Sequence, residues 1–115
     1  MIGLETRVRE LAFEEKKEAI KEHGYFHSNH EGLAILQEEV WEAKQEFDEI
    51  KEKEKVVKIA IYNNAFDIES VITKTIAKKA ISDLREHAIK GACELIQVAA
   101  MCDKFTMSRQ ERGDE

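Results

Sequence analysis

Apolar residues recur at steps of three and four along most of this chain, the spacing that lays a stripe along one side of an α-helix. The first such pattern runs from Leu4 to Glu22. Leu4, Val8, Leu11 and Ala12 make a modest apolar side, and Phe13 and Ile20 fall off it among many Glu and Lys residues. The pattern predicts a helix on the outside of the core, ended by Gly24, the residue type favoured just past a helix C-terminus. The next helix should begin at Ser28. Ser28 and Glu31 have the S-x-x-E spacing of a capping box, in which serine oxygen and glutamate carboxylate satisfy amides left free at a helix start. Leu33, Leu36, Val40, Ala43, Phe47 and Ile50 then form a stripe predicted to face a core to about Ile50. The charged tract KEKEK at 51–55 either continues that helix or forms an exposed turn.

Val56, Val57, Ala60 and Ile61 resume the helical pattern, and Asn63-Asn64 reads as a break. Asn64 and Asp67 are placed as cap and first-turn acid of a further helix carrying Ile68, Val71, Ile72, Thr75 and Ile76. The β-branched density there leaves strand as the alternative, but strict alternation is missing. Ser82-Asp83 offers another start, or a local irregularity within one helix. From Leu84 onward Ala88, Gly91, Ala92, Leu95, Val98, Ala99 and Cys102 form a seam of mostly small residues that would let a neighbouring helix come close. Gly91 inside a helix costs about 1 kcal/mol against alanine, which close approach or a bend would explain. The tail after Phe105, with residues 107–115 at its end, is expected to fray. Together these elements predict an all-α bundle of four or five helices in a single domain.

Composition supports long helices: 37% of the 115 residues are charged, proline is absent and there are five glycines. A chain this short gains from covering its apolar faces with a second copy, so a homodimer or a dimer of dimers is expected. The net charge of -6 argues against a general binder of nucleic-acid polymers, but not against binding one nucleotide through a metal. Cys93 and Cys102, about 13 Å apart along one helix, are too distant for a disulfide and are expected to be buried thiols in a reducing compartment. No apolar run approaches a membrane span and the N-terminus is charged at once, so a cytoplasmic protein is expected.

The candidate chemistry lies in the acids. Taking Leu36 as the centre of its stripe, Glu39 is about 60° to one side, Glu46 about 80° and Glu42 about 120°, with Glu38 farther round. Such neighbours repel by a few tenths of a kcal/mol, and Lys44 is the one cation between His30 and Ile50. A hard divalent ion such as magnesium would relieve the repulsion; a solvated acidic face is the bland alternative. Glu94 lies about 100° from Leu95, at the edge of the later seam. Two helices packed seam to seam would thus bring Glu39, Glu42 and Glu94 to one margin. In the connector HGYFHSN, Tyr25 and Phe26 either staple two helices together, or Phe26, His27 and Asn29 line the mouth of a pocket where a ring stacks on a base. His27 and His30 lack the further ligands of a zinc site, and the Glu-x-x-His pairs of a di-iron bundle are absent. Trp41 points away from Glu39 and suits packing or subunit contact.

Glu38-Glu39-Val40-Trp41-Glu42 reads E-E-x-x-E, and Glu94-Leu95-Ile96-Gln97 reads E-x-x-Q. With the flanking HSNHEGLAILQEEVWEAKQE and ELIQVAAMCDKF, these motifs resemble the phage and bacterial branch of the MazG-like all-α nucleoside triphosphate pyrophosphohydrolases. That superfamily carries E-E-x-x-E on one helix and E-x-x-D on a later one, so Gln97 stands where the family has aspartate. The gap between the two motifs is long and implies an inserted helix around residues 65–80. The resemblance implies hydrolysis of a nucleoside triphosphate to the monophosphate and pyrophosphate. Glu39, Glu42, Glu94 and Gln97 would hold Mg2+, with Mn2+ as a substitute, and Glu38 would accept a proton from water. Lys44 and Lys90 could meet phosphate oxygens. The alternative is a MazG-like bundle that no longer catalyses and serves as a nucleotide-binding or assembly protein.

Overall fold

The computed structural model describes residues 2–113. Among them the chain is all helix, with three elements: α1 (Ile2–His23), α2 (Asn29–Tyr62) and α3 (Val71–Glu111). The count is below the four or five expected, because at the two places where a helix could either continue or break it continues. KEKEK lies within α2 and Ser82-Asp83 within α3, where Lys55 pairs with Glu52 and Asp83 with Lys79 at helical spacing. No separate helix fills 65–80: residues 65–70 belong to the α2–α3 connection, and the rest are the first turns of α3.

The helix ends follow local chemistry. Gly24 stops α1 at φ +72°, a left-handed conformation open to glycine, and its amide bonds to the Ile20 carbonyl at 2.7 Å. Ser28 Oγ accepts the Glu31 amide at 3.1 Å, so the predicted cap of α2 is in place. Asn64, at φ +53°, makes the break after α2. It does not cap α3; Ser70 does, its Oγ accepting the Thr73 amide at 3.3 Å. At the other end α3 stays helical to Glu111, well past the expected fraying point, because its last turns are tied down. The buried Ser108 hydroxyl accepts the Phe26 amide at 2.8 Å and donates to the Lys104 carbonyl at 2.7 Å, while Arg112 donates to the Phe26 carbonyl at 2.7 Å and to Asn29 Oδ1 at 2.8 Å.

Packing divides the chain into two compact units. The first comprises residues 1–43 and 93–115 and the second residues 44–92. In the first, Phe26, Ala100 and Met101 form a buried cluster against which Ala19, Ile35, Leu36 and Phe105 pack. Gly32 lets the helices approach here: a Cβ at that position would collide with the Phe105 ring. In the second unit Val57, Ala65, Ala77 and Ala80 are buried, and Gly91 faces Ile50 and Glu46, where a Cβ would make only ordinary contacts. His87 Nδ1 and Glu46 Oε2 meet there at 2.8 Å.

Both long apolar patterns are only half used. Leu36, Ala43 and Ile50 turn inward on α2, whereas Leu33, Val40 and Phe47 are exposed. On α3, Gly91 is buried, but Ala88, Ala92, Leu95, Ala99 and Cys102 face out. Cys93 is exposed too, so neither thiol is buried as expected. Trp41 is also exposed, at 62% of its surface.

Candidate functional site

Glu39 and Glu42 stand three apart on α2, and so share a side of it, while α3 supplies Glu94. One carboxylate oxygen from each lies within 4.8 Å of the others, and all three side chains are half-buried. The cost of this convergence falls on Glu39. Burial first, then the charges of Glu42, Glu94 and Glu38, hold its carboxyl above the ordinary carboxylate range. The donor set is made of hard carboxylate oxygens, which fits a hard divalent ion.

Glu39 also lines a cleft of about 820 Å³ in the same unit. Its walls carry Glu15, Glu18 and Glu22 from α1, Glu31, Ile35 and Glu38 from α2, and Gln97 and Met101 from α3, with Phe26 at the floor. One lysine stands among these acids. Lys104 is only 5% exposed, its ammonium lies 4.3 Å from the centre of the Phe26 ring, and burial lowers its pKa while the charge of Glu31 partly restores it. Gln97 donates from its amide nitrogen to Glu15 Oε2 at 2.9 Å. That bond turns the amide N–H group toward α1 and leaves the carbonyl oxygen as the only atom able to act as a ligand.

The other residues anticipated from the sequence are spread out. Phe26 is 3% exposed, with its ring packed into the core beneath Lys104, so it acts as the staple and floor and offers no open face for stacking. His27 is exposed and is not part of the cleft lining. Asn29 is taken up by Arg112. Lys44 pairs with Asp48 at 3.4 Å and Lys90 is exposed; both belong to the second unit. The cation that the cleft does contain, Lys104, was legible: it follows Gln97 by seven residues, about 20° round the helix. Glu15 had no such signal, because only the packing of α1 in this unit brings it to Gln97.

No protein-family model matches the chain, and no match was found for it among the curated proteins or the solved structures.

Proposed function

We propose that the chain is a MazG-like, magnesium-dependent nucleoside triphosphate pyrophosphohydrolase that releases pyrophosphate and leaves the monophosphate. The observation that carries this reading is the meeting of Glu39, Glu42 and Glu94 from two helices beside a cleft of nucleotide size. A bound magnesium ion would neutralise phosphate charge and acidify the attacking water. Glu39, Glu42 and Glu94 would hold it, with the Gln97 carbonyl oxygen as a neutral neighbour. Glu38, exposed on the cleft wall, is the carboxylate to accept a proton from water. Lys104 would meet phosphate oxygens as a point charge, and gains strength as a partner from its burial.

The reading includes a second copy of the chain, giving a larger helical bundle working in the cytoplasm. Ile59, Tyr62, Val71, Ile72 and Ile76 support the pairing, being between 60% and 76% exposed, well beyond the scattered apolar residues of an ordinary surface. Among the described residues no helix is long and apolar enough to cross a membrane.

A second reading, a bundle that binds nucleotide without turning it over, is favoured by Gln97. An amide in place of a carboxylate supplies one charge fewer, and its N–H group is engaged by Glu15.

Pyrophosphate release from a panel of triphosphates, with and without magnesium or manganese, separates the two. Glu39→Gln is expected to lower turnover by about a hundredfold or more, the scale on which one positioned charge-stabilising group acts. Full activity in both Glu39→Gln and Glu94→Gln would remove the site assignment, and nucleotide binding without any turnover would establish the second reading. The charge on Glu39 can also be followed without substrate. Its folded pKa is raised, so it opposes folding above that value, and the penalty disappears as pH falls below the ordinary carboxylate value. Glu39→Gln is therefore expected to melt above the unmodified chain at pH 7, and the difference to close near about pH 4. Magnesium should raise the melting temperature of the unmodified chain more than that of the variant.

A further inference from the structure

Phe13 and Ile20, which fit no inward stripe in the sequence, belong to a second groove on the far side of α1. It holds about 580 Å³ and combines Phe13, Ile20, Tyr25 and Met107 with Lys16, Lys17 and Lys21. On α1 the three lysines and Ile20 all lie within about 80° of Phe13, while Glu15, Glu18 and Glu22 lie about 140° or more away, toward the acidic cleft. Glu18 stands at the edge between the two and touches both. Over its last two turns α1 thus sets Glu15 and Glu22 toward one groove and the three lysines toward the other, with Glu18 between them. Helix stability alone does not require this, because alternating charges along one face give more favourable pairs.

Among the described residues the recorded ion pairs engage other cations, while Lys16 and Lys17 sit 4.2 and 5.5 Å from the centre of the Phe13 ring. Phe13 is itself half exposed. The result is an open apolar floor with a rim of three lysines and one glutamate, Glu18, in a chain whose net charge is -6.

We infer that this groove is a docking site for an acidic amphipathic segment of a partner protein, one that lays an aromatic or aliphatic anchor on Phe13, Ile20 and Met107 and offers carboxylates to the three lysines. Charge complementarity selects the occupant. Lysine ammoniums on flexible stems suit carboxylates spread along a peptide, whereas compact phosphate recognition draws on arginine forks or clustered backbone amides; the groove lining contains lysines, and Arg9 on the same face is paired with Glu5. The open groove suits a segment lying across it, and methionine adapts to varied anchors.

The test uses the full chain and three probes followed by fluorescence anisotropy: a labelled helical peptide with Leu and Phe at i, i+3 and i+7 flanked by Glu; the same peptide with Lys in place of Glu; and anionic phosphatidylserine vesicles. The acidic peptide alone is expected to bind. Lys16→Gln/Lys17→Gln/Lys21→Gln and, separately, Phe13→Ala should each weaken it by about tenfold or more, with the helical spectrum and melting temperature unchanged. Added salt should weaken the unmodified chain more than the triple variant. The inference is overturned if the acidic peptide fails to bind, if it binds both variants as well as the unmodified chain, if the vesicles alone bind, or if the triple variant changes the self-association of the chain, which would make the groove a contact between copies.

Discussion

Gly32 and Gly91 hold similar places, each inside a long helix and facing a neighbouring one, yet their surroundings differ. A methyl group at Gly32 would strike the Phe105 ring and come within 3.2 Å of the Phe26 ring, whereas at Gly91 it would find Ile50 at 3.4 Å and Glu46 at 3.7 Å, ordinary contact distances. The first unit is closed tightly around aromatic rings. The second is a looser helical pair with a small alanine-rich interior and much apolar surface outside. Precise placement of acids needs the former kind of packing, because a carboxylate cluster is held only as rigidly as the helices that carry it.

The contrast can be broken most forcefully at Phe26. Phe26→Ala should cost about 3 kcal/mol or more, read by urea denaturation, since it empties the centre of a small core and slackens the Ser108 and Arg112 bonds to its backbone. Gly32→Ala should cost about 1–3 kcal/mol by overpacking, with loss of pyrophosphate release if the acids are displaced. Gly91→Ala is expected to do the reverse, stabilising by up to about 1 kcal/mol, because its surroundings admit the methyl group and the helix gains propensity. Equal destabilisation by the two glycine changes would mean that the units are packed alike. Ile72→Gln, on the exposed face of the second unit, should alter the stability of the single chain by no more than about 0.5 kcal/mol and still weaken self-association in sedimentation.

Much of this was readable in the residues because it is local. The Ser28 cap, the Gly24 stop and the Asn63-Asn64 break each depend on a few neighbouring atoms, and each is where the pattern puts it. The meeting of Glu39, Glu42 and Glu94 was also legible, since periodicity alone sets all three at the edges of their seams. Continuity and depth were harder to read. For KEKEK the pattern left continuation and a turn both open, and continuation is what the structure has, since lysine and glutamate are good helix formers and carry a helix through when nothing forbids it. Apolar stripes read as buried, yet periodicity cannot say how many neighbours a helix has, so Val40, Phe47, Leu95 and Cys102 came out exposed. Phe26, Asn29, Lys44 and Lys90 were placed by residue type, and type does not tell a core ring or a tethered amide from a ligand contact.

The two-sided character of α1 has one more consequence. Because Glu15 and Glu22 are set apart from Lys16, Lys17 and Lys21 by rotation about a single axis, their identities matter less than their count from Gly24. Loss or gain of a single residue between Lys21 and Gly24 would turn everything upstream by about 100°. The acids would leave their cleft and the ammonium groups would swing toward it. Substitutions along this helix can be absorbed one at a time, whereas a one-residue change in its length would scramble both grooves together.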